Sequence, residues 1–91
     1  MEGFHNEYTD KLMDTIVKLK TRAECYDFFE DVCTIKEILD MSKRLEAAKL
    51  LDKGLNYKDI IERIGLSTAT LSRVSKALNY GTGGYKKAIK K

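Results

Sequence analysis

The amino-acid sequence predicts an all-α protein that carries a helix-turn-helix in its second half. The chain has 91 residues and no proline, so no position lacks the backbone N–H that the interior of a helix needs. β-Branched residues do not form the alternating runs typical of strands, and helix-capping residues recur along the chain. The length suits one domain, residues 1–91, and a dimer that shares its core would suit so short a chain.

Three amphipathic helices are predicted before residue 54. The first covers about residues 6–19 and has one apolar face at steps of three and four. The second follows a capping box of Thr21 and Glu24. Its aromatic side chains are expected in a core, which could belong to one chain or be shared by two: Tyr26, Phe28 and Phe29. The third ends near Gly54, which can take a left-handed conformation. Its expected apolar face comprises Ile35, Ile38, Leu39, Leu45, Ala48 and Leu51. We interpret residues 1–54 as a helical dimerisation arm.

Residues 55–80 have the pattern of a helix-turn-helix. Asn56 suits the N-cap of a short helix, and Gly65 permits the positive φ of a tight turn. Leu66 can place an apolar side chain between the two helices, and Ser67 can cap the second. Helices joined by so short a turn meet at a steep angle, so the second can protrude into the major groove of DNA.

The start of this second helix carries small side chains, and a groove about 12 Å wide admits a helix of that kind. Hydroxyl groups can bond base edges or phosphates, and the methyl group of Ala69 can touch a thymine methyl group. Arg73 and Lys76 lie further along, where a cation more often meets a phosphate than a base. The predicted DNA-binding residues are Ser67, Thr68, Ala69, Thr70, Ser72, Arg73 and Lys76. An ordinary helical hairpin with a polar outer face is the alternative.

The formal net charge of +3 hides an asymmetry. Residues 1–50 carry eight basic and eleven acidic side chains, whereas residues 51–91 carry nine basic and three acidic ones. No acidic residue follows Glu62, and the chain ends with Lys86, Lys87, Lys90 and Lys91. Taken alone, this could be a solvated surface, but next to a helix-turn-helix it favours a phosphate-bearing partner. Residues 81–91 are expected to form either a C-terminal helix or a basic tail.

The sequence offers little for catalysis, metal binding or membrane insertion. It has a single histidine, His5, and no acid pair in a protected setting. The glycine-rich segment 81–84 follows no strand and lacks the Lys-Ser/Thr ending of a phosphate-binding loop. Cys25 and Cys33 match no metal motif, so two reduced thiols in a cytoplasmic protein are expected. Short apolar stretches predict no membrane span or signal peptide, and we expect neither an enzyme nor a metal site.

Residues 64–73 (IGLSTATLSR) resemble the recognition-helix region of the tryptophan repressor family. The resemblance extends back through residues 44–54 (RLEAAKLLDKG). Residues 25–34 (CYDFFEDVCT) and 78–81 (LNYG) look like segments of the tryptophan-repressor-related group of small bacterial proteins. Together these matches cover about residues 21–85. The resemblance implies about six helices, an intertwined homodimer formed by the N-terminal helices, and a role in bacterial transcription regulation, with repression as the expected effect.

In the tryptophan repressor, two arginines enclose the indole ring of the corepressor. The resemblance implies the pocket residues Arg44, Thr70 and Arg73, with Lys43 in place of Arg44 if the register shifts near residue 54. Val74 stands where the repressor has a glycine, and Ala77 where it has a serine that meets the amino group of the ligand. A β-branched side chain fills space that the indole needs, and the missing hydroxyl removes a polar anchor. We therefore expect that the protein needs no cofactor. Binding of tryptophan or of another small effector is the less favoured alternative.

The predicted function is sequence-specific binding of double-stranded DNA by a homodimer in the cytoplasm. Two recognition helices related by a two-fold axis would contact half-sites about 34 Å apart. The alternative is a protein-interaction adaptor that uses the helix-turn-helix only as a scaffold. An adaptor has no use for a segment without acids after Glu62, and phosphate competitors would not weaken its binding.

Overall fold

A computed structural model describes residues 3–90 and contains six α-helices and no strand in that range. The helices are α1 (Glu7–Ile16), α2 (Arg22–Val32), α3 (Ile35–Asp52), α4 (Tyr57–Ile64), α5 (Thr68–Tyr80) and α6 (Gly84–Lys90). The predicted all-α class with six helices is confirmed. Met1, Glu2 and Lys91, which the predicted domain includes, lie outside the described residues.

The chain divides into two compact units, with the boundary between Ile35 and Lys36. The predicted subdivision into residues 1–54, 55–80 and 81–91 stays a prediction. None of the six helices between residues 3 and 90 combines the length and apolar character that crossing a bilayer requires.

In the first unit, none of residues 3–35 is buried. Asn6 caps α1, because its Oδ1 accepts the backbone N–H groups of Tyr8 and Thr9 at 2.8 and 2.9 Å. Thr9 Oγ1 in turn accepts the N–H of Asn6 at 2.8 Å, which completes a capping box. The helix ends at Ile16, before the predicted end at residue 19. There the N–H groups of Lys18 and Leu19 bond to carbonyls three residues back, which tightens the chain into a turn.

The second helix begins at the predicted cap. Thr21 Oγ1 accepts the N–H of Glu24 at 3.1 Å, while the Glu24 carboxylate accepts the N–H of Lys20 at 2.8 Å rather than that of the cap residue. Phe28 and Phe29 are half-buried and meet edge to face, with ring centroids 5.3 Å apart. Tyr26 is 56% exposed in this single chain, so its expected place in a core that two chains share stays a prediction.

The core lies in the second unit, and three helices contribute to it. Its buried residues are Ala47, Ala48 and Leu50 of α3, Ile60 of α4, and Leu71, Val74 and Leu78 of α5. Half-buried side chains pack around this cluster, including Leu55, Leu66, Tyr85 and Ile89. The apolar face expected for α3 is only partly covered in this single chain: Ala48 is buried, whereas Leu39, in the first half of the helix, is 54% exposed. The reason is that the core residues of α4 and α5 gather around the last turns of α3 and leave its earlier turns uncovered.

Candidate nucleic-acid interface

The turn between α4 and α5 comprises residues 65–67. Asn56 caps α4, accepting the N–H of Asp59 on its Oδ1 at 2.9 Å. Gly65 ends α4 in the left-handed region at φ +82°, and its N–H donates to the Ile61 carbonyl oxygen at 2.8 Å. A glycine is required there because other residues resist a positive φ. The cap, the stop and the length of the turn all agree with the sequence prediction.

Packing fixes α5 against α4. Ile60 and Leu71 have no exposed surface, and Val74 is 2% exposed. Leu66, within the turn, is half-buried against the same cluster, as expected for an apolar side chain between the two helices. The outer face of α5 therefore belongs to a helix that is held on a core shared by α3, α4 and α5.

The N-terminus of α5 is held by hydrogen bonds between two of the predicted DNA-binding residues. Ser67 Oγ accepts the N–H of Thr70 at 3.1 Å and donates to Thr70 Oγ1 at 3.0 Å. The hydroxyl proton of Ser67 is thus used inside the protein, while the hydroxyl proton of Thr70 is still available to another group. Ser67 is exposed and Thr70 is half-buried.

The other predicted residues form the outer face of α5. Thr68, Ala69, Ser72, Arg73 and Lys76 are all exposed. With about 3.6 residues per turn, Ala69, Arg73 and Lys76 lie on the side opposite the buried residues Leu71 and Leu78. The helix therefore presents small side chains at its start and two cations further along.

Arg73 and Lys76 form no ion pair with any residue between 3 and 90. The ion pairs Lys11–Glu7 and Lys36–Asp40 lie on α1 and α3 instead. Since no acid follows Glu62 in the sequence, the charges of Arg73 and Lys76 are free to attract phosphates.

The residues proposed for a ligand pocket come together beside α5. Arg44, Thr70 and Arg73 line one cleft of about 350 Å³. Arg44 is half-buried, whereas Lys43, the alternative in a shifted register, is exposed. No three His, Cys, Asp or Glu side chains in the described part of the chain group in a way that could hold a metal ion.

Apolar groups complete the walls of this cleft. Val74, Ala77 and Tyr85 line it together with the two arginines, so the residues expected to disfavour an indole do face the site. The sequence analysis missed Tyr85. Its spacing of four residues from Ile89, in a segment otherwise rich in lysine, could have indicated that α6 packs on the core.

Six helices, a tight turn and an outer face with small and basic side chains define a helix-turn-helix protein with the fold of a DNA-binding regulator. The family model described as Trp repressor protein matches residues 7–91. The chain belongs to the Trp repressor family, as the sequence resemblance predicted. This family consists of regulators rather than enzymes.

Three relatives resemble the chain along most of its length. The uncharacterised protein YerC of Bacillus subtilis (strain 168) is 48% identical over 80 residues, which cover 88% of this chain and 77% of YerC. The crystal structure of a TrpR-like protein from Eubacterium eligens has a TM-score of 0.94 and 47% identity, covering 99% of this chain and 93% of that one. The crystal structure of a proposed Trp repressor from Staphylococcus aureus has a TM-score of 0.93 and 40% identity, covering 98% of this chain and 89% of that one.

Proposed function

We propose that this protein binds double-stranded DNA sequence-specifically as a transcription regulator, with α5 as the recognition helix in the major groove. The observation that carries the proposal is the outer face of α5. Its first turns present the small residues Thr68, Ala69 and Ser72, and its later turns present Arg73 and Lys76, all exposed. Small groups allow the helix close to the base edges, and the cations then meet the phosphates on either side of the groove.

The binding unit in this proposal is a homodimer. The support is the first unit, where none of residues 3–35 is buried. Its large apolar side chains are open to solvent, with Tyr8 77%, Met13 50% and Val17 79% exposed. A segment of this size cannot be stable while its apolar side chains face water, so we propose that a second copy covers them. The dimer would present two recognition helices to a pseudo-palindromic site.

DNA binding in this proposal does not need tryptophan, and repression follows from occupying the operator. The support is the cleft beside α5, where Val74 and Ala77 form part of the wall. Val74 is 2% exposed and belongs to the core, so its side chain cannot move aside for an indole without opening a cavity. As a regulator of transcription, the protein would act in the cytoplasm.

Selection from a pool of random duplexes tests this proposal. The purified full chain is incubated with the pool, with and without tryptophan at about 1 mM, the weak end of ordinary ligand affinities. Ala69→Glu, which places a carboxylate at the base edges, is the control. We expect a two-fold symmetric motif in both conditions with the wild type and none with the variant.

Enrichment only with tryptophan would contradict the assignment of Val74 and Ala77 as barriers to the indole. No enrichment in either condition would remove support for sequence-specific DNA binding and favour a protein-interaction adaptor. Circular dichroism of Ala69→Glu shows that loss of enrichment does not come from unfolding, since this exposed position should leave the helix content unchanged.

A further inference from the structure

We propose that Tyr80, the last residue of α5, is a further DNA-contacting residue whose phenolic hydroxyl donates a hydrogen bond to a backbone phosphate at the edge of the major groove. The inference rests on the proposed function, in which α5 is the recognition helix. It extends the DNA-binding surface by a full turn beyond Lys76, the last of the predicted contact residues.

Tyr80 has no packing role in this chain. Its side chain is 86% exposed, and no other large apolar or aromatic side chain between residues 3 and 90 is as exposed. Tyr85, by contrast, packs against the core from α6. An aromatic side chain that is left in water contributes nothing to folding, which favours a role in recognising a partner.

The backbone under Tyr80 is fixed although it stands at a helix end. Leu78 is 5% exposed and anchors the last turn in the core. Asn79 Nδ2 donates to the Ser75 carbonyl oxygen at 3.0 Å. The N–H of Gly81 donates to the Ala77 carbonyl oxygen at 2.9 Å, and a Cβ at Gly81 would collide with that same oxygen. The last turn of α5 is therefore ordered rather than frayed, and the backbone holds the Tyr80 side chain in a defined place.

Tyr80 continues the outer face of α5. It follows Lys76 by four residues and Arg73 by seven, and residues at these spacings lie on the same side of a helix. It lies opposite Leu71 and Leu78, which are buried. Ala69, Arg73, Lys76 and Tyr80 thus form one exposed ridge along the helix.

The length of this ridge decides which part of the DNA Tyr80 would meet. Tyr80 follows Ala69 by eleven residues, or about 16 Å along the helix axis. The major groove is only about 12 Å wide. In the proposed docking, α5 enters the groove by its N-terminus, so its last turn would lie at the edge of the groove, where the phosphates run. Tyrosine hydroxyls are among the groups that donate to phosphate oxygens.

The charge of the surroundings supports a phosphate rather than an acidic or apolar partner. Lys76 is one turn away and exposed, and no acidic residue lies between Glu62 and the C-terminus. A hydroxyl donor brings no positive charge to the phosphate, so its bond adds affinity without releasing a further counterion.

The test compares Tyr80→Phe with the wild-type protein on the selected duplex and on a duplex of scrambled sequence. Fluorescence anisotropy at several salt concentrations gives both the affinity and its salt dependence. We expect binding at least about tenfold weaker on both duplexes, as for a lost hydrogen bond to a charged group, with an unchanged salt slope. Lys76→Gln should instead reduce the slope by about one for each lost phosphate contact.

Tyr26→Phe is the matched control, because it removes a hydroxyl from a tyrosine of α2 that is 56% exposed and keeps the apolar ring that a second copy would cover, so affinity and oligomer mass should stay unchanged. Three results would overturn the assignment: an unchanged affinity for Tyr80→Phe, a loss confined to the selected duplex, or a change in oligomer mass, which would mean that a second copy covers Tyr80. If the wild type binds neither duplex, the proposed function fails before any variant is measured, and this inference falls with it.

Discussion

Replacing Gly65 by alanine should destabilise the fold by about 1–2 kcal/mol through the backbone alone. Gly65 has φ +82°, and a Cβ at this position would meet no atom within 4 Å. The cost therefore contains no steric clash and equals the penalty for a left-handed L residue, about 1–2 kcal/mol. Gly65→Asn should cost less, because asparagine tolerates this conformation better. Gly54 has φ +93° with equally open surroundings, so Gly54→Ala is the matched control.

Urea denaturation followed by circular dichroism measures these costs, at one protein concentration because the stability of the proposed dimer would depend on it. Both alanine variants should lose similar stability, but only Gly65→Ala should also weaken DNA binding. The turn at Gly65 can relieve its strain by changing the angle between α4 and α5, whereas Gly54 lies outside that turn. Wild-type stability in Gly65→Ala, or the same loss of DNA affinity in Gly54→Ala, would refute this reasoning.

Three further changes separate the stability of the recognition helix from its contacts with DNA. Ser67→Ala removes the cap of α5 and should cost about 1 kcal/mol in thermal or urea unfolding; an unchanged midpoint would show that the hydrogen bonds to Thr70 do not hold the helix. Leu71→Ala empties a fully buried position and should cost about 2–5 kcal/mol; a smaller loss would mean that the site collapses around the cavity. Thr68→Tyr puts a bulky ring at the start of the recognition helix, so mobility-shift assays should detect no specific complex while circular dichroism stays native, and a retained complex would argue against entry by this turn.

The N-caps and the turn of the helix-turn-helix were predictable to the residue because local chemistry fixes them. Asn56 and Ser67 bond backbone N–H groups three residues ahead, and Gly65 takes the positive φ that ends α4. Such interactions involve only neighbours in sequence, so sequence alone indicates them. The end of the first helix has no comparable marker, and its prediction was too long: α1 ends at Ile16, with Val17 still in right-handed conformation at the C-cap.

Burial was harder to predict because it depends on which elements pack together. The apolar periodicity of α3 identified Ala48, which is buried, but also Leu39 and Ile35, which are 54% and 74% exposed. Periodicity shows that a helix has an apolar face but not what covers it. In this chain, α4 and α5 share a core with the later turns of α3 only.

The candidate site likewise contains some residues that the sequence indicates and others that only the tertiary structure brings together. The small residues at the start of α5 and the cations Arg73 and Lys76 were predictable because one helix carries them all. The cleft required tertiary structure, since Arg44 comes from α3 and Tyr85 from α6. Family resemblance suggested Arg44, whereas the spacing of Tyr85 from Ile89 could indicate packing on the core but not which cleft the ring lines.

The most direct test of the central claim is the affinity of the full chain for its selected duplex compared with a scrambled duplex of the same composition. Fluorescence anisotropy would be measured near physiological salt, with no tryptophan or other small molecule added. Specific DNA binding by two recognition helices predicts a preference of at least about a thousandfold for the selected duplex. Equal affinities for the two duplexes would contradict the claim and leave only a general attraction of the basic half of the chain for phosphate.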